Sequence, residues 1–156
     1  MNDTEKFMRL ALKEAQKAFD KEEIPVGAVI VKDGKVIAKA HNLKETKNSA
    51  TSHAEILAIE KACKKLGSWR LLDCDMYVTL EPCSMCAGAL INSRIKKIYI
   101  GTDDPKTGAC GSKLNLLEDF TFNHNVQIQK YILKEDCTKI LKDFFKILRE
   151  QKNNQK

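Results

Sequence analysis

The chain has 156 residues, a length that fits one domain with a core of its own. Its apolar and charged fractions are those of an ordinary globular protein, which argues against a disordered or fibrous chain. The net charge of +6 is compatible with a polyanionic partner without proving one, and the stretch from Lys130 to the C terminus holds eight basic and four acidic residues.

The N-terminal segment carries no export signal, because its apolar residues recur at helical spacing and form no unbroken apolar stretch. No window approaches the ~20 consecutive apolar residues of a membrane span. We therefore expect a soluble, cytoplasmic protein that has no membrane partner.

The first half of the chain alternates between predicted helix and strand. Residues 4–20 keep a helical period of apolar side chains. Strands over 26–31 and 35–40 follow, joined by a tight turn at Asp33-Gly34, where both central positions need positive φ. After a polar loop over 41–51, Ser52 is predicted to cap a helix that runs to about Leu66 and stops at Gly67.

The second half continues the alternation. Residues 75–80 are predicted to form a strand, Pro82 presets a helix over 83–93, and 96–101 form another strand. The Gly-, Pro- and Asp-rich segment 102–113 is predicted to be a surface loop. A short strand at 126–131 and an amphipathic helix over 135–150 complete the domain, which spans residues 1–150, and 151–156 form a frayed tail. This order predicts an α/β fold, a three-layer α/β/α sandwich with a central mixed sheet.

Two short motifs carry metal-binding residue types: His53-Ala54-Glu55 and, about 30 residues later, Pro82-Cys83-Ser84-Met85-Cys86. Zinc binds imidazole and thiolate and prefers four ligands in a tetrahedron. His53, Cys83 and Cys86 would leave the fourth position to water, whose pKa the ion lowers toward ~7. We therefore predict one zinc ion per chain. The other four of the six cysteines lack ligand spacing and are expected to be small buried hydrophobes.

Glu55 is the candidate catalytic residue, a shuttle that moves a proton from water to a leaving amine. Residues two apart on a helix do not share a face, so His53 and Glu55 can approach one metal only if it lies off the helix end. Ser52 to Glu55 also matches a helix capping box, which for Glu55 alone would be the favoured interpretation. A lone CxxC can be structural or redox-active, but neither His41 nor His124 has the spacing of a fourth ligand.

The pattern H-x-E…P-C-x-x-C is the signature of zinc nucleobase deaminases. Over residues 4–150 the sequence resembles bacterial tRNA-specific adenosine deaminases, in the stretches IPVGAVIV, SHAEILAI, YVTLEPCSMCAGALINSRI and DPKTGACGS and at Asn123-His124. The zinc motif is shared by the whole cytidine deaminase-like superfamily, so the loop at 104–112 and Asn123-His124 carry the narrower resemblance. The segments 102–103 and 114–122 depart from the family pattern.

The resemblance implies a cytidine deaminase-like fold, zinc held by His53, Cys83 and Cys86, and Glu55 as the proton shuttle. It implies hydrolytic deamination of adenosine to inosine at the wobble position of a tRNA anticodon stem-loop, by a homodimer that does not act on DNA. The substrate-binding residues that it implies are Ile24, Val26, Asn42, Ala54, Leu80, Asp104, Lys106, Phe144 and Phe145.

Several residues of this list, and His124 of the Asn123-His124 pair, have simpler interpretations. Asn42 could be a turn residue, Lys106 a solvated loop charge and His124 a structural histidine, and one of Phe144 and Phe145 could pack in the core. Two other functions also stay open. A free-base deaminase of guanine or cytosine type would share the zinc residues without needing a basic RNA surface. A zinc-stabilised RNA-binding module would catalyse nothing.

Overall fold

A five-stranded mixed sheet with two helices on each face forms the structure, a computed structural model that describes residues 2–154. The predicted three-layer α/β/α sandwich is thus confirmed. The elements in chain order are α1 (Asp3–Asp20), β1 (Gly27–Lys32), β2 (Lys35–His41), α2 (Ala54–Leu66), β3 (Cys74–Leu80), α3 (Ser84–Asn92), β4 (Lys97–Thr102), β5 (Gln127–Lys130) and α4 (Lys134–Asn154). No helix within residues 2–154 is long and apolar enough to cross a membrane.

The strand order is β2-β1-β3-β4-β5, with β1 antiparallel to both neighbours and β3, β4 and β5 parallel to one another. Side chains alternate between the two faces of the sheet. Ala28 and Ile30 of β1 pack in the cluster that contains α2 and α3, whereas Val29 and Val31 pack in the cluster that contains α1. Burial on both faces explains why the central strands β1, β3 and β4 are largely apolar, whereas β2 and β5 at the two sides of the sheet are more polar.

In this topology the start of β1 and the ends of the other four strands lie along the same edge of the sheet. Gly27 pairs with His41, Leu80 with Thr102, and Ile100 with Lys130. We refer to this edge as the site edge. Segments that are far apart in sequence, at residues 24–26, 42–44, 80–83 and 102–107, therefore meet there.

Two glycines meet specific steric requirements. Asp33 and Gly34 have φ of 52° and 73°, which confirms the predicted tight turn between β1 and β2. Gly27 allows close packing of a helix on a strand, because a Cβ there would lie 1.9 Å from the Ala11 carbonyl oxygen of α1. The α1 backbone therefore rests directly on the start of β1.

Two predicted features of the helices differ in the structure. The N-cap of α2 is His53 and not Ser52, and no side chain caps this helix. Helix α4 continues to Asn154, so the part of the predicted frayed tail at 151–154 is helical, whereas residues 155–156 lie outside the described part of the chain. The segment beyond residue 150 contains no glycine or proline that would end the helix. The predicted C-cap at Gly67 is present, with φ of 64°.

Three of the four cysteines without ligand spacing are buried as predicted, namely Cys74, Cys110 and Cys137. Cys63 is only partly buried: it packs against the edge of the core near the end of α2, and its thiol lies 3.7 Å from the Trp69 carbonyl oxygen. The prediction that all four are buried is therefore wrong for Cys63.

Candidate active site

His53, Cys83 and Cys86 converge at the site edge, and their donor atoms all lie within 4.8 Å of one another. His53 Nδ1 is 3.7 Å from Cys83 Sγ and 3.6 Å from Cys86 Sγ. A tetrahedral ion with bonds of ~2.3 Å to sulfur and ~2.0 Å to nitrogen would separate the two kinds of donor by about 3.5 Å. The spacing of these three side chains therefore fits a tetrahedral metal with one position left open.

Helix ends supply two of these three side chains. His53 is the N-cap of α2 (φ −75°, ψ 153°) and Cys83 is the N-cap of α3 (φ −75°, ψ 178°), so both have extended backbone. His53 is therefore free of the helical periodicity that would have separated it from Glu55. The two helix N-termini also place positive dipole ends at the site, which favours thiolate ligands.

The two cysteines differ in how readily they lose a proton. Hydrogen bonding with Cys86, and then with His53, lowers the pKa of Cys83 to about 4 against the opposing effect of burial. The same bond, together with burial, raises the pKa of Cys86, and bonding to Cys83 raises the pKa of His53. One thiolate is therefore available at neutral pH, and a bound metal would displace the proton of Cys86.

Glu55 lies in the first turn of α2 and is 3% exposed, and its Oε1 atom has no hydrogen-bond partner among the described residues. Burial raises the pKa of its carboxyl group. Because His53 is the N-cap, Glu55 is the second helical residue, and the Ser52 amide donates to the Ser49 carbonyl oxygen instead. The capping-box interpretation is therefore wrong. A buried carboxylate oxygen without a partner in a cavity is an arrangement typical of a catalytic role.

A cavity of about 560 Å³ opens in front of these groups, a volume that suits a small-molecule site. His53, Glu55 and Cys83 line it. Eight of the nine side chains predicted to bind substrate line it as well: Ile24, Val26, Asn42, Ala54, Leu80, Asp104, Lys106 and Phe145. Further lining residues that the sequence did not single out are Lys44, Glu81, Asp103, Pro105, Thr107 and Leu141.

The two neighbouring phenylalanines of α4 point in different directions. Phe144 is 8% exposed, and its ring packs edge-on against Phe19 of α1 at 5.6 Å. Phe145 is 38% exposed and lines the cavity. Phe144 is therefore a packing residue, and Phe145 alone remains a candidate contact.

Two cavity residues also stabilise turns. Asn42 Oδ1 accepts the Lys44 amide at 3.1 Å, and its Nδ2 donates to the Ile24 carbonyl oxygen at 3.3 Å. Asp104 accepts the amides of Lys106 and Thr107 at 3.0 and 3.2 Å. For Asn42 the turn interpretation and the cavity interpretation therefore hold together.

His124 lies outside the cavity lining, and its Nε2 is 2.7 Å from the Ile95 carbonyl oxygen. This contact supports the interpretation of His124 as a structural histidine. Its hydrogen bond fastens the irregular segment after residue 113 to the turn before β4.

Glu81 organises the loop that forms the outer wall of the cavity. It is buried, and its carboxylate accepts the amides of Asp104, Cys110 and Ser112, each at 3.0 Å, and the Ser112 hydroxyl. This residue fastens loop 103–112 to the end of β3, two residues before Cys83. Sequence reasoning missed it, and the available signal was an acidic residue between an apolar strand and Pro-Cys.

Replacing Glu81 with glutamine should destabilise the protein by ~1–3 kcal/mol, because an amide NH₂ group would face buried N–H donors. Urea unfolding would measure the loss. Glu118→Gln is the matched control, since Glu118 is exposed and accepts from Asn115 in a local contact. Equal stability of Glu81→Gln and the wild-type protein would contradict this role.

The comparisons with known proteins all find deaminases. Residues 2–149 match the family model described as MafB19-like deaminase. The chain is 49% identical over 152 residues to the tRNA-specific adenosine deaminase of Bacillus subtilis (strain 168), covering 97% of this chain and 94% of the relative. A solved structure from work on tRNA:A34 deaminases superposes with a TM-score of 0.84 at 43% identity, covering 87% of this chain and 99% of that one. A guanine deaminase structure from Bacillus subtilis gives 0.64 at 32% identity, covering 96% and 95%.

Proposed function

Since this chain belongs to the MafB19-like deaminase family and, within it, to the tRNA-specific adenosine deaminases, we propose that it hydrolyses adenosine to inosine at the wobble position of a tRNA anticodon. The observation that carries the proposed chemistry is a buried carboxyl group, that of Glu55, whose Oε1 atom has no partner among the described residues and which lies in the same cavity as a His/Cys/Cys group with tetrahedral spacing.

His53, Cys83 and Cys86 would hold a zinc ion, one per chain, which when bound lowers the pKa of water toward ~7. Glu55 takes a proton from the attacking water and delivers it to N1 of the adenine ring. The bond between C6 and the exocyclic nitrogen then breaks as Glu55 moves a second proton to the departing amine. One water is consumed and one ammonia is released, which leaves inosine.

Residues of the cavity wall would contact the target base and its ribose. Ile24, Val26 and Leu80 offer apolar surface to the purine, and Asn42 lies where it can contact the base or its ribose. The wobble base must leave the stack to enter this cavity, and the single-stranded anticodon loop keeps the free energy of flipping low.

The outer wall of the cavity is the part that would contact RNA. Asp104 and Lys106 lie on the loop that Glu81 fastens, and Phe145 projects from α4. The family resemblance also supports a homodimer in the cytoplasm that does not act on DNA, as parts of the same proposal.

Deamination of a free base is the second candidate function, since the chain is also 32% identical to a guanine deaminase of known structure. The zinc residues and Glu55 would serve either substrate. A non-catalytic RNA-binding module is disfavoured, because it would have no use for a buried Glu55 carboxyl group in the cavity whose Oε1 atom lacks a partner among the described residues.

We expect the protein to release ammonia from an anticodon stem-loop with adenosine at the wobble position, and not from free adenine, guanine, cytosine or cytidine. Contacts to flanking nucleotides orient the target base, and a free base lacks them. A side-by-side ammonia assay would test this, with the same loop carrying guanosine at the wobble position as the control. Faster release from guanine or cytosine than from the adenosine loop would move the assignment to the free-base deaminases.

A further inference from the structure

Tyr131 is an exposed aromatic residue at the site edge, directly after β5. Tyr131 is 50% exposed, and its backbone φ of 69° lies in the left-handed region. This conformation is unfavourable for a bulky side chain. No aromatic ring pairs with Tyr131 in the described part of the chain, so its apolar surface is left to solvent.

The phenol group fixes this ring beside the cavity. Tyr131 donates its hydroxyl to Asp103 Oδ2 at 2.9 Å, and Lys130 donates to Asp103 Oδ1 at 3.1 Å. Asp103 itself lines the cavity. The hydroxyl end of the ring is therefore held by a residue of the cavity wall.

Two lysine ammonium groups lie near the ring. The Lys134 ammonium group lies 4.7 Å from the ring centroid, and that of Lys130 lies 6.0 Å away. Both distances are within the range of cation–π contacts. An exposed aromatic ring with ammonium groups nearby complements a nucleotide, which presents a flat base and an anionic phosphate.

Helix α4 connects this surface to the cavity. Lys134 begins the helix, and Thr138 one turn later pairs with Thr102 at the end of β4, with 2.9 Å between the two hydroxyl oxygens. Leu141 and Phe145 then follow at helical spacing and line the cavity. Lys134, which lies beside Tyr131, and the cavity residues Leu141 and Phe145 therefore lie along one face of α4.

We propose that Tyr131 stacks on the base of a nucleotide that flanks the target adenosine, with the Lys134 ammonium group near the adjoining phosphate. This inference rests on the proposed function and names a subsite for its RNA substrate. When the target base leaves the stack, its neighbour loses a stacking partner, and an aromatic side chain can replace it.

The first test separates the ring from the hydroxyl. Tyr131→Phe keeps the stacking surface and loses the bond to Asp103, whereas Tyr131→Gly removes both and relieves the left-handed backbone. Stacking is worth roughly fivefold or more in affinity per base. We expect KM for the stem-loop to rise at least about fivefold in Tyr131→Gly and less than about twofold in Tyr131→Phe, with a melting temperature close to that of the wild-type protein in both.

Trp69→Ala is the matched control. Trp69 is 53% exposed and follows the C-terminal end of α2, whereas Glu55 lies at the N-terminal end, roughly 20 Å away along a 13-residue helix. It also carries flanking cations, since Arg70 and Arg94 lie 4.3 and 5.6 Å from its ring. We expect its KM to be unchanged.

The second test is a double-mutant cycle between the protein and the RNA. Stem-loops in which the nucleotide on one or the other side of the target lacks its base are assayed with wild-type protein and Tyr131→Gly. At one of the two positions, base removal should raise KM at least about fivefold in the wild-type protein and have little further effect in Tyr131→Gly.

The outcomes separate this inference from the proposed function. Equal KM values in Tyr131→Gly and wild type, or additive effects at both flanking positions, would refute the stacking subsite while adenosine deamination stands. Equal losses in Tyr131→Phe and Tyr131→Gly would also refute it, and would make Tyr131 a positioning residue for Asp103. Absence of deamination of every stem-loop by the wild-type protein would refute the proposed function itself.

Discussion

Replacing Glu55 with glutamine should abolish turnover on the stem-loop and leave the metal bound. Glutamine has the same shape and fits a position that is 3% exposed, but it cannot take up and release a proton. General acid–base catalysis is typically worth ~10²–10⁴-fold, and a residue that serves two proton transfers can exceed this range. The stem-loop should bind with near-normal affinity.

Single-turnover kinetics with excess enzyme would measure this loss, and metal analysis would show the retained ion. Glu60→Gln is the matched control, because Glu60 lies on the same helix and is exposed. Near-normal activity of Glu55→Gln would show that the Glu55 carboxyl group is not the proton shuttle.

Removing metal ligands should have a still broader effect, because both metal binding and turnover should be lost. His53→Ala and Cys86→Ala each take one of three donors away from a group with tetrahedral spacing. We expect about one zinc per chain in the wild-type protein and a small fraction of that in either variant. The melting temperature should fall as well, since an ion that binds only the folded state stabilises it.

Cys63→Ala controls for the loss of a thiol, since Cys63 is partly exposed and lies outside the cavity lining. Its metal content and activity should match those of the wild-type protein. A double variant, His53→Ala with Cys86→Ala, that still carried the wild-type amount of zinc would refute the assignment of the ligands.

The order of helices and strands could be predicted because each element carries its own period and its own stop signals. Gly67 and the Asp33-Gly34 turn act locally, so their effects are visible in the sequence. The N-cap of α2 could not be predicted in the same way. Ser52 is the better local cap, but tertiary contacts place His53 there, with its imidazole toward the cysteines.

The residues of the candidate site could likewise be predicted only in part. The three metal-ligand residues follow from residue type and spacing, and most cavity residues came from the family resemblance. The roles of Glu81, Asp103 and Tyr131 could not be predicted, because their hydrogen-bond partners lie 23 to 31 residues away in sequence, across neighbouring strand ends. Helical periodicity places both Phe144 and Phe145 on the apolar side of α4, so it could not show that Phe145 lines the cavity.

The side of the sheet away from the site edge holds the Asp33-Gly34 turn and the start of β3 at Cys74. Neither belongs to the lining of the cavity. A large polyanion approaching the site edge leaves that far side uncovered. The exposed turn at Asp33-Gly34 is therefore the natural attachment point for a fluorophore, a surface tether or a fused targeting module, since cargo there stays clear of the path by which an RNA enters and leaves.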